Sequence, residues 1–300
     1  MTFNEGANLD TSQVTGGGGK AGAIAGGGVG GLLLMLLVLF LGGNPLGGGS
    51  SSAIDINQVL AGGSGASSVD VSQCKTGADA NANDVCRIVG TVNSVQDYWT
   101  EALPRDINRQ YRNALTVIYS GSTQSPCGTA SNQTGPFYCP VDERVYIDAS
   151  FFDELSTRFG ADGGNLAQMY VVAHEYGHHV QNILGILGKA QDGKSGATSN
   201  GVRIELMADC LAGVWANHAA DTDDAQGNAL IQPLTRDDIE SALSAAAAVG
   251  DDHIQETLGG GRVNQDTWTH GSSASRQRWF TTGYESGNLN SCDTFATNDL

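Results

Sequence analysis

Five consecutive residues, His174-Glu175-Tyr176-Gly177-His178, could do chemistry together. On an α-helix, residues four apart lie on one face about a turn apart, so both imidazoles can reach one ion. Zinc takes neutral imidazole nitrogens at roughly 2.0–2.1 Å, and this spacing supplies two. Glu175 follows the first histidine directly, which sets its carboxylate beside a metal-bound water rather than on the metal. That is the position of a general base. The competing reading is an ordinary helix with two stray histidines. Against it, Leu166 to Ala173 lead in as an apolar run without Pro or Gly, and Val180, Ile183, Leu184 and Leu187 continue it. Two histidines and a glutamate inside a buried helix are costly unless a metal engages them. His179 is also four residues from Glu175, but a Glu175–His179 ligand pair would leave the water without its base. His179 is therefore expected as a packed or hydrogen-bonded neighbour.

The third ligand must come from elsewhere. Metzincins carry Gly three residues after the second histidine and a third His three further on. Gln181 and Leu184 occupy those positions here. Glu205 fits instead, on a second helix-compatible run from Val202 to Ala219, and completes the two-His, one-Glu set of a gluzincin-like catalytic zinc. Asp209, one turn further on, is expected to accept the free ring N–H of His174. A peptidase also needs a donor for the oxyanion, and His270, in the Gly/Ser-rich turn Thr269-His270-Gly271-Ser272-Ser273, is the candidate. His253, after Asp251-Asp252, reads as a charge-paired structural histidine.

Several segments occur in a telling order: Cys127-Gly128, Gly135-Pro136-Phe137-Tyr138-Cys139-Pro140, Val145-Tyr146-Ile147-Asp148, His174 to Gln181, Glu205 to Trp215, and Thr269 to Ser273. Over roughly residues 70 to 297 the chain resembles the bacterial neutral zinc metallopeptidase family of membrane-anchored proteins. The resemblance implies His174, His178 and Glu205 as metal ligands and Glu175 as catalytic residue, the same set as above. Tyr176 departs from the pattern, because a small aliphatic residue is expected there; its side chain is expected to shape the cleft.

Three hundred residues allow one substantial domain plus appendages. The net charge of −17, from 32 acidic and 15 basic residues without a basic cluster, makes nucleic acid and anionic lipid headgroups poor partners. The expected partners are a peptide or protein substrate and, through the N-terminus, a membrane. No charge occurs between Lys20 and Asp55, and Leu32 to Leu41 is continuously apolar. The expected organisation is a disordered cytoplasmic tail over 1–20, a transmembrane anchor over 21–43, a Gly/Ser linker over 44–70 and the zinc metallopeptidase domain over 71–300. A cleaved signal peptide fits less well, since acidic Glu5 and Asp10 precede the apolar run and Ala53 lies far beyond it. Lys20 at the amino-terminal edge points to a cytoplasmic tail and an extracytoplasmic catalytic domain on a single-pass protein.

All six cysteines follow the apolar run. Local order suggests Cys74–Cys86, Cys127–Cys139 and Cys210–Cys292 as disulfides, consistent with an oxidising compartment. The expected fold is α+β, a mostly helical zincin-like domain with a small sheet. Helices are predicted from Ser94 to about Leu103, ended by Pro104, over Arg105–Ala114, from Phe151, from the capping sequence at Thr235, and over Ser272–Ser286. Strands are predicted at Leu115–Tyr119 and Arg144–Ile147, the latter as the edge of a substrate cleft. A zinc hydrolase of a cell-wall amide and a non-enzymatic module with a structural metal are the alternative functions.

Overall fold

The structure, a computed structural model, describes residues 2–17, 67–131, 134–257 and 259–300. It is an α+β fold in which helices outnumber strands. Seven strands form among the described residues, β1 (Val14–Gly16), β2 (Ser67–Ser68), β3 (Leu115–Ser120), β4 (Ser122–Ser125), β5 (Gly128–Ser131), β6 (Phe137–Cys139) and β7 (Arg144–Asp148). The two β-branched and aromatic runs of the sequence become β3 and β7, paired in parallel from Leu115↔Arg144 to Tyr119↔Asp148. The main sheet runs β1-β3-β7-β6, with β2 also on β3. The segment joining β3 to β7 carries the β4–β5 hairpin and β6. Cys127–Cys139 ties that excursion together. It turns back so that β6 lies antiparallel on β7, with Phe137 stacked on Tyr146 at 5.1 Å between ring centres. The expectation that Val145–Ile147 forms an edge is corrected by this pairing. β7 is internal, and β6 is the outer strand.

Eight α-helices are described: α1 (Gly77–Ala82), α2 (Asp84–Ile107), α3 (Phe151–Thr157), α4 (Asn165–Ile183), α5 (Asn200–His218), α6 (Arg236–Ala248), α7 (Asp251–Thr257) and α8 (Ser273–Ser286). α2 starts at Asp84 rather than Ser94, because the Asn83 side chain caps it by accepting from the Cys86 N–H. Pro104 falls inside the last turn. The helix ends instead at Asn108, whose left-handed backbone (φ 54°) returns an N–H to the Leu103 and Pro104 carbonyls. The helix expected over Arg105–Ala114 is therefore not formed after Ile107, and the chain runs irregularly into β3. Thr235 and Asp238 make the expected capping box of α6.

α4 and α5 are almost wholly buried, and α8 crosses α5 at a point that only glycine permits. A Cβ on Gly213 would sit 2.1 Å from the Phe280 carbonyl oxygen, and one on Gly283 would sit 1.9 Å from that of Cys210. Cys210–Cys292 and Cys74–Cys86 are the other two disulfides.

Residues 2–17 correct the expectation of a disordered tail. Phe3, Ala7 and Val14 are core residues, and β1 pairs in parallel with β3. Polar and glycine-rich composition hid three apolar side chains that dock into the domain. The Gly/Ser linker ends earlier than expected, since Ser67 and Ser68 already form β2. The expected anchor, 21–43, lies outside the described residues. Among the described residues no helix is long and apolar enough to cross a membrane.

Replacing Gly283 with Val should force α8 away from α5 and destabilise the domain by about 1–3 kcal/mol or more, as overpacking a fitted contact does. Urea unfolding of the Gly283→Val chain, with its disulfides intact, checks this by a lowered midpoint.

Candidate metal centre

α4 carries His174, Glu175 and His178; α5 packs against it with Glu205 and Asp209. Their approach is close because Gly177 faces Ala208. A Cβ at 177 would lie 3.0 Å from the Ala208 carbonyl oxygen. This packing brings one donor atom each of His174, His178 and Glu205 within 4.8 Å of one another. Glu205 Oε2 lies 3.2 Å from His174 Nε2, and Oε1 lies 3.5 Å from His178 Nε2. Two imidazoles and one carboxylate around a common point suit zinc, with a fourth position left for solvent or substrate.

The partners of the far ring nitrogens test that fit. His174 Nδ1 lies 2.8 Å from Asp209 Oδ1, and His178 Nδ1 lies 2.8 Å from Gln181 Oε1. The Gln181 amide is oriented by its own nitrogen, which donates to the Ile204 carbonyl at 2.7 Å. A carboxylate and an amide oxygen can only accept, so each ring carries its proton on Nδ1. That leaves each Nε2, facing Glu205, as the nitrogen a metal would take once any proton on it is displaced.

Asp209 is fully buried, and burial alone would push its carboxyl up. Arg276 and His174 outweigh that and hold it ionised, below the usual carboxylate range. Arg276 grips it twice, Nε to Oδ2 at 2.8 Å and Nη2 to Oδ1 at 2.9 Å, and the Tyr170 hydroxyl donates to Oδ1 as well. Burial likewise opposes charge on Glu205, but the surrounding His178, His174 and His270 hold it ionised. Burial also disfavours an imidazolium at His174, yet Asp209 and Glu205 override it and raise that group to about 10.

Glu175 is buried at 7 % exposure, and desolvation raises its carboxyl above the ordinary value despite the opposing pull of His174 and His178. A raised carboxyl is a stronger base, which suits proton transfer from water. His270 sits on a loop bound to Asp251. The backbone N–H groups of Thr269, His270 and Gly271 donate to Asp251 Oδ2 at 2.7, 2.7 and 2.9 Å. Its Nδ1 faces Asp251 Oδ1 at 3.4 Å and Thr269 Oγ1 at 3.0 Å, while Nε2 has no hydrogen-bond partner among the described residues. Burial works against a charged His270, but Asp251 and Glu205 outweigh it and favour the imidazolium.

The neighbouring residues take other roles. His179 is fully buried with both nitrogens engaged, Nδ1 on the Tyr138 hydroxyl at 2.9 Å and Nε2 on the Arg112 carbonyl at 2.6 Å, linking α4 to β6. Tyr176, expected to shape the cleft, is instead fully buried; its hydroxyl pairs with Thr116 Oγ1 in β3 at 2.9 Å. His253 donates from Nε2 to the Phe159 carbonyl at 2.9 Å, rather than holding a charged partner. Gln181, Tyr170, Arg276 and Asp251 are the functional neighbours that sequence reasoning missed. Gln181 and Tyr170 left a signal, three residues from His178 and four from His174 on the same helix.

Residues 4–295 match the family described as "putative neutral zinc metallopeptidase". The chain belongs to this family. It is 54% identical over 230 residues, 76% of each chain, to the uncharacterized protein Rv2575 of Mycobacterium tuberculosis. An uncharacterized protein of Mycobacterium bovis, Mb2605, matches equally. The uncharacterized protein YpfJ of Escherichia coli strain K12 is 42% identical over 209 residues, 67% of this chain and 68% of its own. No solved structure matches the chain.

Zinc binding to the metal-free chain must displace a proton from His174, which is protonated below about 10. Affinity should therefore climb with pH through the neutral range, by up to about tenfold per unit for that one proton. Gln181→Leu and Asp209→Asn should each weaken zinc binding about 10–100-fold by releasing a ligand's ring. Chelator competition across pH on the purified chain and both variants reads all three effects.

Proposed function

We propose that the chain is a zinc-dependent peptidase of gluzincin-like coordination and zincin-like architecture, acting on peptide or protein substrates outside the cytoplasmic membrane. One observation carries the reading: three donors converge from α4 and α5, and both imidazoles turn Nδ1 to an acceptor and Nε2 toward the same point. His174, His178 and Glu205 would hold the metal. Zinc, when bound there, supplies a Lewis acid that polarises the scissile carbonyl and acidifies water. Glu175 takes a proton from the attacking water and returns it to the leaving amine. His270, kept protonated by Asp251, donates from Nε2 to the oxygen that gains charge as the carbonyl is attacked. The three disulfides support an oxidising compartment for the domain.

A purely structural metal has no use for a buried, raised Glu175, and this favours an enzyme over an interaction module. The Glu175→Gln chain should keep stoichiometric zinc and lose turnover by about two to four orders of magnitude, the usual worth of a positioned acid–base group. An unbiased peptide-library digest by the zinc-loaded chain, run beside a panel of cell-wall amides, identifies the bond cleaved. Cleavage only of the latter, or full function in Glu175→Gln, would overturn the proposal.

His270→Ala should lower kcat/KM by about 10²–10³ with zinc content unchanged, as loss of one oxyanion donor does. Asp251→Asn should show a smaller loss of the same kind, together with an acid-shifted limb in the pH profile, because His270 would lose the carboxylate that keeps it charged. Steady-state kinetics against pH on the best library substrate measure both.

A further inference from the structure

The domain carries a groove shaped for the chain's own first residues. Asn81 Oδ1 accepts from the Phe3 N–H at 2.8 Å while its amide nitrogen donates to the Phe3 carbonyl at 2.9 Å. Asn93 treats Asp10 in the same way, at 2.8 and 2.9 Å. Asp224 accepts from both the backbone and the side chain of Asn8, at 2.8 and 3.1 Å. Backbone bonds run from Asn4 N to Leu230 O at 3.0 Å, Leu9 N to Lys75 O at 2.9 Å and Gly17 N to Ile118 O at 2.7 Å.

The domain's own sequence accommodates this segment. Gly90 lies inside α2, where glycine weakens a helix. A Cβ there would come within 2.6 Å of the Phe3 ring. At Gly77 a Cβ would lie 1.9 Å from the Asn4 carbonyl oxygen. Phe3, at 2 % exposure, fills the socket that Gly90 leaves.

We infer that residues 2–17 are a fixed part of the peptidase domain and share one side of the membrane with residues 67–300. Strand pairing needs hydrogen bonds near 3 Å, whereas a bilayer's hydrocarbon layer is about 30 Å thick. A single crossing between Gly17 and Ser67 would put β1 and β3 on opposite faces and break every contact above. The cytoplasmic tail expected from Lys20 is therefore replaced by an N-terminus on the domain's side, which the three disulfides mark as the oxidising one.

Single added cysteines test this cleanly, because the described residues include no free cysteine. In the full chain, Ser12→Cys on the exposed N-terminal segment and Glu285→Cys on α8 should react with a membrane-impermeant maleimide in the same vesicle orientation. Labelling in opposite orientations overturns the inference. As a second measurement, Asn8 and Thr76 form an antiparallel bridge, so the double variant Asn8→Cys/Thr76→Cys should yield a linked peptide by mass spectrometry of full chain taken from membranes without reductant. Two free thiols there, in a chain whose native disulfides are formed, would equally overturn it.

Discussion

A buried carboxylate, Asp209, ties three helices together behind the candidate metal centre. It reaches His174 and Tyr170 on α4 and Arg276 on α8 from its own place on α5. An ionised carboxylate without water is stable only where donors saturate it, and here an imidazole, a phenol and a guanidinium do so. The direction of the His174 ring, the ionisation of Asp209 and the seating of α8 are thus one arrangement. Displacing any of the three helices would leave a buried charge without its partner, so the ligand geometry inherits the rigidity of the core.

The second histidine is set by a cheaper device. Gln181 comes from the same helix as His178 and needs only one outside anchor, the Ile204 carbonyl. One ring is oriented by a charge held across helices and the other by a neutral amide within its own helix. The two imidazoles therefore sit in different electronic environments. The close pass of Gly177 by Ala208 makes both possible, because a bulkier residue would hold Glu205 away from the rings.

Much of the site was legible in sequence because it is local. His174, Glu175 and His178 follow from helical spacing, and Glu205 with Asp209 follows from a second helix with the same period. The parallel partners β3 and β7 were readable from their β-branched and aromatic runs. What could not be read were contacts made by residues that look ordinary alone. Arg276 sits among serines and Asp251 among acidic neighbours, and nothing in their local pattern says which buried group each will meet. The start of α2 is hidden in the sequence because a cap at Asn83 and a glycine at 90 make its first half resemble a loop. The docking of residues 2–17 is hidden for a related reason: three apolar side chains among polar and glycine residues cannot form a core alone, but can complete one.

Sequence by itself singled out the candidate residues, His174, Glu175 and His178 on one helix and Glu205 on another, since helical periodicity sets which side chains share a face of each helix. Tertiary structure decided which nitrogen each histidine presents, which carboxylate stays charged, and where the N-terminal segment lies. Those outcomes depend on groups distant in the chain meeting in a dry interior. There hydrogen bonds and charge pairing set protonation and position, and no local pattern encodes them.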